Sequence, residues 1–483
     1  MTATTGLESR SSTRAGLLDR SLRLFADVQA GEGGTVLLLA FNVFLLFTAY
    51  YVIKPIREAL ILSGGGAEVK SYAAAGQAVL LLILVPAYGA LADRLPRRKL
   101  LTSVTAFFVA CLVMFYALVK GEVPVGVVFF LWVGIFNLMI VAQFWSFAND
   151  VYTKEQGERL FAIVAFGGSL GAVIGSAATG RLIPLLGIPQ LLLVAAALLV
   201  VAAIVSNVVD ARERARHETH LPPSMTTAEL PAATGEYQIM MVEDQKKLTV
   251  SMPGTGPVNR PGTFRLVFAD RYLLLIALLM LVLNWVNTTG EYILGRTVAG
   301  AAEAAVRRGM TGGLSEADFI GGFYSDFLLL VSVLSMVLQL FVVSRLIKYL
   351  GVKFSILVLP VLALTGYAVL AFAPILSLVR AVKIAENATD YSVNNTVRNV
   401  LFLPTSRDQK YKAKQAIDSF FVRAGDLLSA ALVFVGTTLL SFRTTTFARV
   451  NLVLALVWLV LAVAIGREYV RKSSLMPDAA AGR

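Results

Sequence analysis

Apolar stretches long enough to cross a bilayer recur along the whole chain. They lie at about 35–62, 71–92, 100–119, 124–148, 160–183 and 187–209, and again at about 270–293, 319–347, 354–373, 375–400, 415–441 and 447–466. A hydrocarbon core of about 30 Å is spanned by about 20 apolar residues in a helix. In lipid every backbone N–H and C=O must be satisfied internally, which selects helices for such stretches. The pattern predicts an all-α polytopic membrane protein with about twelve transmembrane helices in two groups of six. A mean hydropathy of +0.72 and a charged fraction of only 15% exclude a soluble domain.

Polar segments divide the chain into an N-terminal arm (1–34), a six-helix bundle (35–209), a linker (210–264), a second six-helix bundle (265–466) and a tail (467–483). The linker holds Pro222, Pro223, Pro231, Pro253, Pro257 and Pro261 without periodic hydrophobicity, so it reads as flexible. The arm, Asp93–Lys99, Lys154–Arg159 and the linker are basic and alternate onto one side. The positive-inside bias puts that side, with both termini, in the cytoplasm. A bacterial inner membrane is the expected location. Arg296–Asp318, with Arg307 and Arg308, is an outer segment that is nevertheless basic. Arg10, Arg14, Arg20 and Arg23 precede Thr35 with no apolar core among them, unlike a cleavable signal.

The net charge of +12 reports orientation in such a chain and implies no nucleic-acid partner. Cys111 is the single cysteine, which excludes a disulfide framework and a cysteine metal site. His217 and His220 are the only histidines and both fall in the polar connector. No Ser–His–acid set is therefore available in the spans. No metal, cofactor or enzymatic reaction is expected; the expected partners are the lipid bilayer and a small-molecule substrate, and the expected state is a monomer.

Charge inside the spans carries the functional signal. Lys54 and Arg57 are spaced i, i+3, and Lys54 and Glu58 i, i+4, so the three share a helix face. Pro55 removes one helical hydrogen bond and favours a kink there. Two readings stand: the charges flank a span that ends at Ile53, or they lie inside one long helix that continues through Leu62. A charge near the bilayer centre costs about 2.5–3.5 kcal/mol on insertion scales, so an internal one faces a wet cavity or a partner. In the tenth span Arg380, Lys383, Asn387, Asp390, Asn394 and Arg398 form one polar stripe, with Glu386 nearby. It reads either as a cavity-lining helix or as an amphipathic helix in the interface. Glu291 is a lone acid placed near the end of the seventh span, after Asn284, Trp285 and Asn287. Lys410, Lys412 and Lys414 precede the eleventh span, as a positive-inside anchor or as a mouth that captures phosphate.

Two glycine patterns need a reading of their own. Gly64–Ser71 has a faint likeness to a phosphate loop but fails it, because Val69 stands where a glycine is needed before Lys70 and no strand precedes it. It is expected to be a flexible outer loop. Gly167, Gly171 and Gly175 repeat every fourth residue and predict a close helix contact.

The turn Gly89–Lys99 resembles the loop between the second and third helices of the major facilitator superfamily, with Asp93, Arg94, Arg97 and Arg98 in place. Its counterpart, Ser344–Lys353, keeps basic residues and a glycine but has no aspartate. More specific are Phe144–Asp150 followed by Glu155 and Arg159, Phe319–Ser325, Ala388–Ser392, Pro404 and Lys412–Asp418. In that order these stretches resemble the nucleotide transporter family, the ATP/ADP translocases of plastids and intracellular bacteria. The resemblance covers about Tyr51 to Leu440 without the linker.

The resemblance implies a major facilitator-like pair of six-helix bundles that transports nucleotides, most simply by exchanging ATP for ADP, without hydrolysis. It implies that Arg57 and Glu58 are the first-span cation and acid, that Glu291 is the seventh-span acid, and that Lys414, or Lys412 if the register slips, is the lysine before the eleventh span. The family's fourth-span acid has no match, since Val133–Asn137 are uncharged. The substrate-binding set expected on these grounds is Lys54, Arg57, Glu58, Glu291, Lys383, Asp390, Lys412 and Lys414, with Tyr51, Trp145, Trp285 and Tyr391 as candidates for stacking on a base. The rival readings are a facilitator for a different small molecule, phosphorylated or otherwise, and a membrane scaffold or sensor that transports nothing.

Overall fold

The computed structural model describes residues 27–29, 31–92, 97–219, 263–406, 409 and 413–474, with the side chains of 85–92, 97–100, 154, 158, 214–219 and 263 outside that description. All regular elements among the described residues are helices. In the first half they are α1 (Gly33–Ala92), α2 (Arg97–Lys120), α3 (Gly126–Val151) and α4 (Lys154–Thr219). The second half holds α5 (Thr263–Ala269), α6 (Arg271–Arg307), α7 (Glu316–Val337), α8 (Val343–Ser355), α9 (Val358–Leu370), α10 (Leu376–Thr389), α11 (Asn395–Val400), α12 (Lys414–Ala416), α13 (Val422–Phe434) and α14 (Thr444–Ser474). Single wide turns join α7 to α8, α10 to α11 and α12 to α13.

The twelve expected spans are present once the broken helices are read as two. α1 leaves helical geometry at Gly66 (φ 75, ψ −177) and α4 at Gly187 (φ 76, ψ 166). Both conformations lie in the left-handed half of the backbone map, where a side chain is strained and glycine is not. The same device, Gly351 (φ 72), separates the eighth and ninth spans. Eight described helices are long and apolar enough to cross a membrane. The tenth span, α10 with α11, is less apolar because it carries the polar stripe.

Several local expectations are corrected. Helical dihedrals run through Pro55, and the break comes at Gly66. Gly64–Ser71 is no loop: it is part of α1, with Lys70 and Ser71 buried. The seventh span does not stop at 293 but continues to Arg307, so Glu291 sits in mid-helix and part of the basic outer segment is helical. The sixth span runs past Asp210 to Thr219. Asp93–Pro96, residues 220–262, 1–26 and 475–483, and Lys412 lie outside the described residues.

The glycine repeat of the fifth span makes a close contact. A Cβ on Gly167, Gly171 or Gly175 would collide with the carbonyl oxygens of Ala40, Phe44 and Thr48, one turn apart on α1. Small residues give helices in lipid their tightest packing, because backbone approach replaces the missing hydrophobic drive. This seam fixes the azimuth of α1, and so the direction in which Lys54, Arg57 and Glu58 point.

Candidate functional site

A cavity of about 240 Å³ lies between the two halves. The first half contributes Lys54, Arg57, Glu58 and Lys70 from α1, with Phe130 from α3. The second half contributes Asn287 and Glu291 from α6, Tyr324 from α7, Asn387 from α10, Tyr391 from the turn after it, and Arg423 and Asp426 from α13. The charges of the first span are therefore interior, and the flanking reading is set aside.

The charges are wired to one another. Arg57 donates from Nε and Nη2 to Glu58 Oε1 at 3.0 and 2.5 Å. Lys70 Nζ reaches Glu58 Oε2 at 2.6 Å and Glu291 Oε2, in the other half, at 3.9 Å. Glu291 Oε1 takes Lys383 Nζ at 3.4 Å and Asn387 Nδ2 at 3.1 Å. Lys383, fully buried, also bonds Asn287 Oδ1 and Glu386 Oε2, each at 2.9 Å. Glu386 Oε2 accepts from the Tyr367 hydroxyl at 3.0 Å. Arg57 and Glu386 are thus the ends of one chain of alternating charge that crosses the junction between the halves. Removing one member of a buried ion pair costs about 3–5 kcal/mol, because the other is left unpaired.

A second cluster sits on α13. Asp426 accepts from Asn284, Thr288 and Arg423 at 2.7, 2.8 and 3.2 Å. Aromatic faces support the cations: Arg57 lies 4.8 Å from the Phe130 ring centre, and Lys70 5.4 Å from that of Tyr324. Lys54 lies over Tyr51 and Tyr50, at 5.0 and 5.5 Å. Two further contacts pin the halves together, the first of them beside the Gly66 break. Tyr292 donates to Glu68 at 2.8 Å and accepts from Arg296 at 3.0 Å, and Ser325 donates to the Ser176 carbonyl at 2.8 Å.

The structure brings Lys54, Arg57, Glu58, Glu291 and Tyr391 to the cavity wall, with Lys383 directly behind Glu291. Burial of Lys383, Asn387 and Asn394 shows that the polar stripe of the tenth span faces the protein interior and not the interface. Asp390 does not line the cavity; it accepts from Asn394 one turn on, at 2.6 Å. Lys414 does not line it either. It donates to Asn399 at 2.7 Å in a separate small pocket that also holds Arg398 and Asp418. Tyr51 lies beneath Lys54 rather than at the wall, while Trp145 packs on Phe144 and Phe161. Trp285 is also away from the wall, and its buried indole N–H has no partner among the described residues.

Sequence reasoning missed Lys70, Arg423 and Asp426. Arg423 and Asp426 are spaced i, i+3 inside an apolar run, the same signal that marked Lys383 and Glu386. Lys70 was hidden by the three preceding glycines, which read as a loop.

Residues 36–385 match the family profile described as the Major Facilitator Superfamily. No curated protein matches the chain significantly. Among solved structures it is similar to a mutant form of the peptide transporter POT, with 15% identity, 94% of this chain and 99% of that chain covered, and a TM-score of 0.59. It is similar also to the nucleoside transporter NupG, with 14% identity, 92% and 100% covered, and a TM-score of 0.54. A third is a bacterial homologue of the human lysosomal transporter Spinster, with 13% identity, 91% and 98% covered, and a TM-score of 0.51. At these identities the likeness is one of fold. The family profile covers most of the chain, the described spans fall into two halves, and a charged cavity lies between them; the chain is a multi-pass membrane transporter and belongs to the major facilitator superfamily.

Proposed function

We propose that the protein transports nucleotides, or a closely related phosphorylated anion, by alternating access of its two halves and without hydrolysis. The observation that carries this reading is the cavity itself: Lys54, Arg57, Lys70 and Arg423 converge there between aromatic side chains. Charge-assisted hydrogen bonds contribute about 1.5–3 kcal/mol each, and phosphate oxygens are the acceptors that use several at once. Tyr391 is exposed and on the wall, so it is the candidate for stacking on a base. Exchange of ATP for ADP is the activity that the resemblance implies. The cross-half contact Lys70–Glu291 supports alternating access, because a bound anion competes with Glu291 for the lysine. With the expected orientation, the Tyr292–Glu68 bond closes the outer end and the cavity is served from the cytoplasm.

The test is uptake of a labelled panel (ATP, ADP, AMP, a nucleoside, a dipeptide and a sugar phosphate) into proteoliposomes holding the purified protein. Nucleotide uptake that depends on Arg57 and Lys70 is expected. Uptake of the dipeptide or the free nucleoside with no nucleotide transport overturns the reading. No uptake of any solute, from protein shown to be folded, favours the scaffold.

A further inference from the structure

We infer that Lys54, and not Arg57, is the primary anion seat of the cavity, and that this seat accepts a single phosphate group. The inference rests on the nucleotide-transport reading and narrows it to a substrate with one phosphate. Among the described residues, four cations line the cavity: Lys54, Arg57, Lys70 and Arg423. Three of them are already committed. Arg57 and Lys70 both hold Glu58, at 2.5 and 2.6 Å, and Arg423 holds Asp426 at 3.2 Å. Lys54 makes no ion pair and no hydrogen bond among the described residues; the faces of Tyr50 and Tyr51 lie against its ammonium, and Glu291 and Glu58 act on it only at longer range. Ring faces stabilise a cation without neutralising it and leave its donors free for an incoming anion.

Charge balance leads to the same place. Three carboxylates on the wall, Glu58, Glu291 and Asp426, stand against the four cations. Lys383 and Glu386, behind the wall, cancel each other at 2.9 Å. One positive charge is left over. An anion of about one charge fills that deficit without breaking any existing pair. Each further negative charge has to take a cation from its carboxylate, and that carboxylate is then buried without a partner. A phosphate monoester, carrying about 1.5 to 2 negative charges near neutral pH, comes nearer this balance than a di- or triphosphate. The geometry also orders the wall: Lys54 stands one helical turn from Arg57 and Glu58 on the same face, so a phosphate on Lys54 lies beside the Arg57–Glu58 pair without displacing it.

The experiment measures inhibition constants for inorganic phosphate, AMP, ADP and ATP against binding of labelled AMP to the full-length protein in proteoliposomes. It uses wild type, Lys54→Gln, Lys54→Arg and Asp426→Asn. The expected results are these: AMP binds wild type at least threefold more tightly than ATP; Lys54→Gln weakens AMP at least tenfold; Lys54→Arg retains AMP binding within about threefold. Asp426→Asn, which releases Arg423 as a second uncompensated cation, shifts the preference toward ADP. ATP preferred over AMP in wild type, or AMP binding unchanged in Lys54→Gln, overturns the seat. If inorganic phosphate binds through Lys54 but AMP does no better than phosphate, the seat stands and the nucleotide reading fails. If nucleotides bind equally in all four proteins, the nucleotide reading stands and the seat fails.

Discussion

Lys70 and Glu291 face each other across the junction of the two halves, Nζ to Oε2 at 3.9 Å, and each is also held within its own half. Lys70 keeps Glu58 at 2.6 Å, and Glu291 keeps Lys383 at 3.4 Å. The cross-half contact is the longest link in the chain of charges. It can part when the halves rock without leaving a bare ion on either side. A rocking carrier needs that property, since an unpaired charge in a low-dielectric cavity would otherwise set the barrier to motion.

Lys70→Met should therefore do more harm than its remote position in the sequence suggests. Among the described residues it leaves Glu58 with Arg57 alone and frees Glu291 from its one cross-half ion pair. We expect uptake to fall at least tenfold and thermal stability to drop, by up to about 3–5 kcal/mol if Glu58 stays ionised. Uptake in proteoliposomes and melting in detergent measure the two effects. Full uptake in Lys70→Met would remove this residue from the mechanism.

Glu291→Gln keeps size and hydrogen bonding to Asn387 but ends the pull on Lys70 and Lys383. Binding of labelled nucleotide should be kept or tightened, because a competing anion is gone from the wall. Turnover should fall at least tenfold, because the empty carrier loses the counter-ion that rides with it. Measured together, binding and exchange separate these outcomes. Weaker binding with unchanged turnover per bound molecule would show that Glu291 contacts substrate instead.

Most of the architecture was legible because a spanning helix leaves a long, unambiguous apolar run and glycine repeats report close contacts. Glu58 and Glu291 were legible for the opposite reason, as charges where lipid permits none. What the sequence concealed has a physical cause at each place. Gly64–Gly66 read as the start of a flexible outer loop, yet only Gly66 leaves helical geometry, and the chain re-enters the helix in time to aim Lys70 at Glu58. Asp390 belongs to the polar stripe by spacing, but the chain makes a wide turn at Asp390–Asn394, and its carboxylate is satisfied by Asn394. Lys414 stands where the resemblance to nucleotide transporters implies a substrate lysine, but it sits in a second pocket with Asn399. One dimension of sequence does not say how far along the pore a residue lies.

The two halves also carry matching latches, which set an acid limit. Thr153 and Gln156 form a reciprocal cap at the start of α4, and Gln156 Nε2 donates to Glu32 at 3.0 Å. Ser406 and Gln409 repeat the cap in the second half, and Gln409 Nε2 donates to Asp270 at 3.0 Å. Burial pushes the Glu32 carboxyl up, but hydrogen bonds from Arg159, the Gln29 amide and Gln156 outweigh it and hold it below its usual value. Asp270 is likewise raised by burial and lowered further by Lys472 and the Tyr272 amide, with a net fall. A carboxylate whose value is depressed by folding stabilises the fold above the unfolded value and loses that contribution as pH falls through the depressed one. Melting temperature should be level from pH 7 to about 5 and decline below about 4.5, the ordinary carboxylate range. The double variant Glu32→Gln, Asp270→Asn should melt lower at pH 7 and show a shallower decline. An equally steep decline would place the acid sensitivity elsewhere.

The last prediction separates charge from contact at Arg57. This residue donates two hydrogen bonds to Glu58 and rests on Phe130. If it acts mainly by balancing Glu58, its removal leaves the cavity neutral: three cations, Lys54, Lys70 and Arg423, against three carboxylates. Arg57→Gln should then lose anion uptake by at least tenfold, although Lys54 is untouched. Arg57→Lys should keep a substantial part of it, since the charge survives and only the planar two-point grip on Glu58 is lost. The informative protein is the double variant Arg57→Gln, Glu58→Gln. It removes one charge of each sign, restores the excess of one cation, and leaves Lys70 its contact with Glu291. Uptake in the double variant should exceed that of Arg57→Gln alone, with a coupling of about 1–3 kcal/mol when wild type, Arg57→Gln, Glu58→Gln and the double variant are set in a cycle. The measurement is initial uptake of labelled AMP and ATP at matched protein levels. A double variant no better than the single one would mean that the guanidinium touches substrate directly, and the roles of Lys54 and Arg57 would be reversed.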